Sequence, residues 1–130
     1  HCNTLPLSSN RRTMMNCMSA INTLLKNKES ILIYPEQAMW NNYKKPRPFK
    51  VGAFKFAKKA NVCILRLFIT MKDDTRLDEN GNPLQRHTLH VLDPIYPEGK
   101  EVEEIRDLAF NQCKEKYQEV YGKKLTYSKE

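Results

Sequence analysis

Residues 31–59 read ILIYPEQAMWNNYKKPRPFKVGAFKFAKK. An apolar run meets Pro35-Glu36, an aromatic loop follows, and then come seven positive charges with no acid among them. Residues 30–34, SILIY, are short, apolar and rich in isoleucine, the pattern of a strand buried in a parallel sheet. Pro35 ends it. Residues 36–50 read as an ordered loop, because Pro46 and Pro48 restrict the backbone. Residues 51–60 read as a helix, with Phe49, Ala53, Phe56 and Ala57 near one face and Lys55, Lys58 and Lys59 elsewhere. Residues 62–69, VCILRLFI, form the next strand. Strand, loop, helix and strand in this order make a β-α-β unit, so the predicted class is α/β, with a mostly parallel sheet flanked by helices.

The flanks extend this reading. Residues 9–27 carry Met14, Met18, Ile21 and Leu25 at helical spacing, with Ser9 or Asn10 as the N-cap and Asn27-Lys28 as the end. Arg11 and Arg12 in the first turn oppose the helix dipole, so they face water or are wanted near an anion. Residues 72–86 form a polar excursion, read as two short edge strands with a turn at Asn80-Gly81. Residues 87–92, HTLHVL, form a third strand, stopped by Pro94. A last helix over 101–121 places Val102, Ile105, Ala109, Cys113 and Val120 on one side, with Leu108 and Tyr117 nearby. No linker interrupts residues 1–130, which are expected to form a single domain.

The totals bound what such a domain does. Cys2, Cys17, Cys63 and Cys113 are widely spaced with no CxxC pair, which favours reduced thiols over a disulfide scaffold. No apolar run approaches the 18 or so residues that a membrane span needs. The chain begins at His1 rather than Met, as expected of a fragment of a longer polypeptide. Its formal charge of +7 favours an anionic partner such as a lipid headgroup, a nucleic acid or a phosphorylated metabolite. The charge is concentrated: nine basic residues and no acidic one lie between Gln37 and Lys72.

A strand ending in Pro35-Glu36 puts a carboxylate where open α/β sheets place their ligands. Glu36 has two roles open to it, accepting hydrogen bonds from loop amides to hold the loop shape, or binding a substrate hydroxyl or ammonium. Lys44, Lys45, Arg47 and Lys50 offer positive charge, and Gly52 at the head of a helix leaves room for a phosphate to approach backbone N–H groups. A solvated basic face accounts for the same charges.

These residues carry a resemblance. Residues 31–69 resemble the third motif region of the glycerophospholipid acyltransferases, the 1-acylglycerol-3-phosphate acyltransferase-like family. That pattern is an apolar strand, Phe or Tyr, Pro-Glu-Gly-Thr-Arg, a variable loop, then Phe-Lys-x-Gly-Ala and a helix leading to a second strand. Tyr34, Pro35 and Glu36 match it, as do Phe49, Lys50, Gly52 and Ala53. VLDPIYP, 91–97, resembles the fourth motif, so the resemblance spans roughly residues 5–97. The sequence IYPE recurs at 95–98, but no Phe-Lys-x-Gly-Ala follows it, and this second copy is coincidence.

The chain departs from the family in three places. Gln37, Ala38 and Met39 stand where the family has glycine, threonine and arginine, and Trp40, Tyr43 and the Lys/Arg/Pro loop are expected to compensate. Ser8 or Ser9 stands near the second-motif arginine, for which Arg11 or Arg12 is the expected replacement. The first motif, His-x4-Asp, is absent: from His1 the aspartate would fall at Pro6, and His87 and His90 lie far downstream. The resemblance therefore implies the C-terminal part of an acyltransferase domain, without its general base.

In the implied reaction a glycerol hydroxyl of a lysophospholipid attacks the thioester of acyl-CoA or acyl carrier protein, with no cofactor, no metal and no nucleophilic cysteine. Glu36, Arg47, Lys50 and Gly52, with Arg11 or Arg12, would bind the acceptor phosphate. Trp40, Tyr43, Lys44 and Lys45 would rest on an anionic membrane surface, peripherally and on its cytoplasmic face. A homo-oligomer formed through an exposed sheet edge is a further expectation. A basic nucleic-acid-binding module using residues 44–59, or a non-catalytic interaction domain, are the alternatives. The first leaves Pro35-Glu36 and 91–97 unexplained, so no nucleic acid is expected.

Overall fold

Every fourth residue of the C-terminal helix is buried, and the fold is arranged along that stripe. The computed structural model describes residues 4–5, 9–36 and 43–127. In chain order the elements are α1 (Arg11–Lys26), α2 (Gly52–Ala60), β1 (Leu67–Leu77), β2 (Pro83–Val91) and α3 (Val102–Tyr121). Helix α3 buries Ile105, Ala109, Cys113 and Tyr117, one row of i, i+4 neighbours. Its first half packs with Phe54 of α2 and with Ile95, its second half with Phe68 of β1 and with Leu125. Phe49 lies against both groups, stacked on Phe54 with ring centres 6.2 Å apart and edge-on to Phe110 at 5.5 Å. Tyr121 also ties α3 to the sheet, since its hydroxyl accepts from the Met71 N–H (2.7 Å) and donates to the Met71 carbonyl (3.0 Å).

The helices follow from local chemistry. Asn10 caps α1, its Oδ1 accepting from the N–H groups of Arg12 (2.9 Å) and Thr13 (3.3 Å). Cys17 and Ile21 are the buried pair of that helix, and Met15 and Met18 are exposed. Helix α2 ends at Asn61 in the left-handed conformation, which asparagine tolerates. Phe54, not Phe56, is its deepest aromatic residue, because the covered face runs through Phe54 and Ala57.

The parallel sheet expected from the β-α-β pattern is not what forms. The fold is α/β, but its sheet has two strands, β1 and β2, paired antiparallel with Leu67 opposite Val91 and Met71 opposite His87. The polar excursion at 72–86 is not an insertion between parallel strands. It is the outer half of one long hairpin, closed by a turn in which Asp78 Oδ1 accepts from the N–H groups of Asn80 and Asn82, both at 2.8 Å. Gly81 supplies the positive φ that this turn needs. No helix lies between the two strands to carry a crossover, so a tight turn can join them only antiparallel. Below the hairpin the same direction persists in a bridge between Ile64 and Ile95, whose N–H and carbonyl groups exchange two 2.9 Å bonds.

Residues 31–34 likewise join no strand. They were expected to be buried on both sides, yet Leu32 is 69% exposed and Tyr34 66%.

Candidate functional site

The segment that ends at Glu36 and the segment that opens α2 are brought side by side. Lys50 N–H donates to the Pro35 carbonyl at 2.9 Å, and Arg47 N–H donates to Glu36 Oε2 at 3.1 Å. Glu36 is half-buried, and it closes the loop from below by accepting a backbone amide. Burial pushes its carboxyl above the ordinary carboxylate value, and the Arg47 amide and the Arg47 charge pull it back in part.

Beyond the loop, α2 begins without a side-chain cap and with no acid in its first turn. Its first backbone bond runs from Lys55 N–H to the Val51 carbonyl (3.0 Å), which leaves the amides of Gly52, Ala53 and Phe54 outside the helical ladder. A Cβ placed on Gly52 would meet nothing within 4 Å among the described residues, so they leave this end of the helix open. Such an end, with Lys50 exposed beside it, is the local chemistry of an oxyanion site.

The C-terminal tail completes the arrangement, and sequence reasoning missed it. Gly122 turns the chain at the end of α3 with φ +62°. Leu125 is then buried against Phe68, Cys113 and Tyr117, and its N–H donates to Gln118 Oε1 at 3.1 Å. From there the tail grips the loop: Lys45 Nζ donates to the Thr126 carbonyl at 2.8 Å, and the Tyr127 hydroxyl donates to the carbonyl of buried Pro46. Burial, with the charges of Tyr43, Glu36 and Tyr117 adding to it, pushes the Tyr127 phenol up to about 12. The one hint in the sequence was Gly122 followed by an apolar and then an aromatic residue.

Other expected residues fall elsewhere. Arg11 and Arg12 are exposed on the first turn of α1, and no hydrogen bond or ion pair links their side chains to the loop among the described residues. Tyr43 and Lys44 are half-buried at the loop's return. Trp40 lies outside the described residues, as do His1, Pro6, Ser8 and Gln37 to Met39. His90 is paired with Thr70, Nε2 to Oγ1 at 2.7 Å, on the hairpin. Pro94-Ile95 of the 91–97 segment comes to the foot of α2, where buried Ile95 packs with Phe54.

A family model described as Acyltransferase matches residues 1–70, more than half of the chain. The chain belongs to the Acyltransferase family. The match in this acyltransferase chain takes in residues 31–36, the loop, α2 and the start of β1, and it stops before the 91–97 segment. Neither the curated proteins nor the solved structures compared with it include a match. No helix among the described residues is long and apolar enough to cross a membrane.

Proposed function

We propose that this chain forms the acceptor-binding part of an enzyme that moves a fatty acyl group from acyl-CoA or acyl carrier protein to the free hydroxyl of a lysophospholipid such as 1-acylglycerol-3-phosphate. The observation that carries the reading is the junction of the two motif halves, Pro35-Glu36 held to Arg47 and Lys50 by 3.1 and 2.9 Å bonds, inside a family-matched segment. In this reading the acceptor phosphate sits at the open amides of α2, with Lys50 and Arg47 supplying charge. Glu36 fixes the loop that presents them. Lys45 is committed to the tail, so its role is to hold the loop in shape.

These residues contribute by position and charge rather than by proton transfer. The sequence holds no His-x4-Asp pair, and we assign the general base to none of its residues. The attacking hydroxyl is delivered to a base by a phosphate held at a fixed distance. Catalysis then needs both parts.

Acyl transfer from oleoyl-CoA to lysophosphatidate tests this, measured on this chain and on the longest natural polypeptide that contains it. Transfer is expected only where a His-x4-Asp pair is supplied, and Lys50→Ala should raise the KM for lysophosphatidate about tenfold, near the cost of one charged contact. No transfer by either polypeptide, both folded and with several donors and acceptors tried, would refute the reading. Presenting the acceptor in vesicles with and without anionic lipid tests the membrane contact of Tyr43 and Lys44. Equal rates would remove it.

A further inference from the structure

One side chain in the core has no partner that its chemistry demands. Arg66 is 6% exposed, just ahead of β1 on the face that also buries Phe68 and Thr70. Its backbone is fixed, the carbonyl accepting from Leu92 N–H at 2.9 Å. Yet Nε, Nη1 and Nη2 are all buried and none reaches a hydrogen-bond acceptor among the described residues. Burial lowers its pKa, but a guanidinium still keeps its proton, so the core holds a positive charge that none of these residues compensates by a hydrogen bond.

The nearby ionisable groups relieve it only in part and through space, not by a hydrogen bond. Cys113, Asp93 and Cys63 are those whose charge acts on Arg66. Burial holds the Cys113 thiol up at about 11, so it is neutral at physiological pH. Asp93 is exposed and forms no bond to the guanidinium, and Cys63 is exposed as well. The groove of about 330 Å³ beside Asp93, which includes Glu115, Lys116 and Glu119, does not have Arg66 in its wall and carries more acid than base. Arg66 falls instead within the stretch from Gln37 to Lys72 that holds nine bases and no acid.

We propose that Arg66 is a buried anion-binding residue whose guanidinium pairs with a phosphoryl oxyanion, a phosphate monoester or free phosphate. A planar fork of five N–H donors fits two oxygens of such a group at once. The donors are covered, so the groups above them move aside as the anion enters, and release is slow. This inference does not depend on the acyl-transfer reading: a phosphate seat on Arg66 stands or falls by binding alone.

Thermal unfolding at constant ionic strength, with inorganic phosphate or glycerol 3-phosphate against chloride, tests it on the wild type, Arg66→Met, Arg66→Lys and Asp93→Asn. Without phosphate, Arg66→Met should melt at or above the wild type, because it removes a buried charge that is only partly compensated while keeping the side-chain length. Asp93→Asn removes the one carboxylate whose charge acts on Arg66, so it should melt slightly below the wild type and keep the phosphate shift. Phosphate should raise the wild-type melting temperature in a saturable way, leave Arg66→Met unmoved, and act at least tenfold more weakly on Arg66→Lys. Equal affinities for the two ligands assign the site to a bare phosphoryl group. Tenfold tighter binding of glycerol 3-phosphate assigns it to a headgroup. The proposal is overturned if Arg66→Met unfolds well below the wild type or fails to fold, which would show that Arg66 is already paired within the chain. It is equally overturned if neither ligand shifts the wild type, or if both shift Arg66→Met as much.

Discussion

The two faces of the β1–β2 hairpin carry different residue types and meet fates opposite to what those types suggest, the aliphatic one lying open. One face sets Arg66, Phe68 and Thr70 against α3, all three buried. On the other, Leu65, Leu67, Ile69, Leu89 and Val91 stand between 44% and 63% exposed. Strand alternation assigns the side chains to the two faces. What decides burial is the cover, and α3 covers one side only. The hydrophobic driving force therefore acts through one set of side chains, and the exposed aliphatic residues contribute little to holding the described fold.

Truncation on each face puts that contrast to its hardest test. Phe68→Ala removes a ring packed with Cys113, Tyr117 and Leu125 and should cost about 3–5 kcal/mol. Leu89→Ala removes a side chain that is 56% exposed and should cost less than about 1 kcal/mol. Urea unfolding of both variants reads the difference. Similar losses would mean that the open face is covered in solution.

A smaller effect is expected where the tail grips the loop. Tyr127→Phe deletes the hydroxyl that donates to Pro46 and should cost about 1 kcal/mol. Its clearer signature is local. Amide exchange at Lys44, Lys45 and Arg47 should quicken severalfold while α3 keeps its protection. Unchanged exchange at these amides would show that the Tyr127 hydroxyl does not hold the loop, leaving Lys45–Thr126 and buried Leu125 as the anchors of the tail.

The contrast between faces also explains what could be read from the residues. Helices α1 and α3 were legible to within a residue or two, because a period near 3.6 and a cap such as Asn10 are local properties. Strand positions were partly legible, but strand direction was not. VCILRLFI is apolar on both faces and looks doubly buried, although one face is open. The Asn80-Gly81 turn was visible, yet nothing local says that its two arms run on to Leu67 and Val91. At the site, the nearness of Glu36 to Arg47 and of Pro35 to Lys50 was open to expectation because all four lie within one short stretch. The tail was not, since its bonds to Lys45 and Pro46 join residues 81 positions apart. Arg66 was hidden for a related reason: only packing shows that a charge in an apolar run has been enclosed.

Glu36 gives the smallest effect, and its sign carries the test. Its folded pKa is raised from the ordinary 4.5, chiefly by burial, so the folded chain holds this proton more tightly than the unfolded chain. The stabilising contribution of the proton is present at low pH, falls as pH rises through 4.5 toward the folded value, and is gone above it. Glu36→Gln keeps an oxygen for the Arg47 N–H and removes the charge. Unfolding measured from pH 4 to 7 should therefore show the variant gaining on the wild type as pH rises and holding a constant advantage beyond. A variant that instead loses ground with rising pH would show that the ionised carboxylate is favoured in the folded loop. The charge of Arg47 would then outweigh burial, and Glu36 would be working as a paired anion rather than as a backbone clasp.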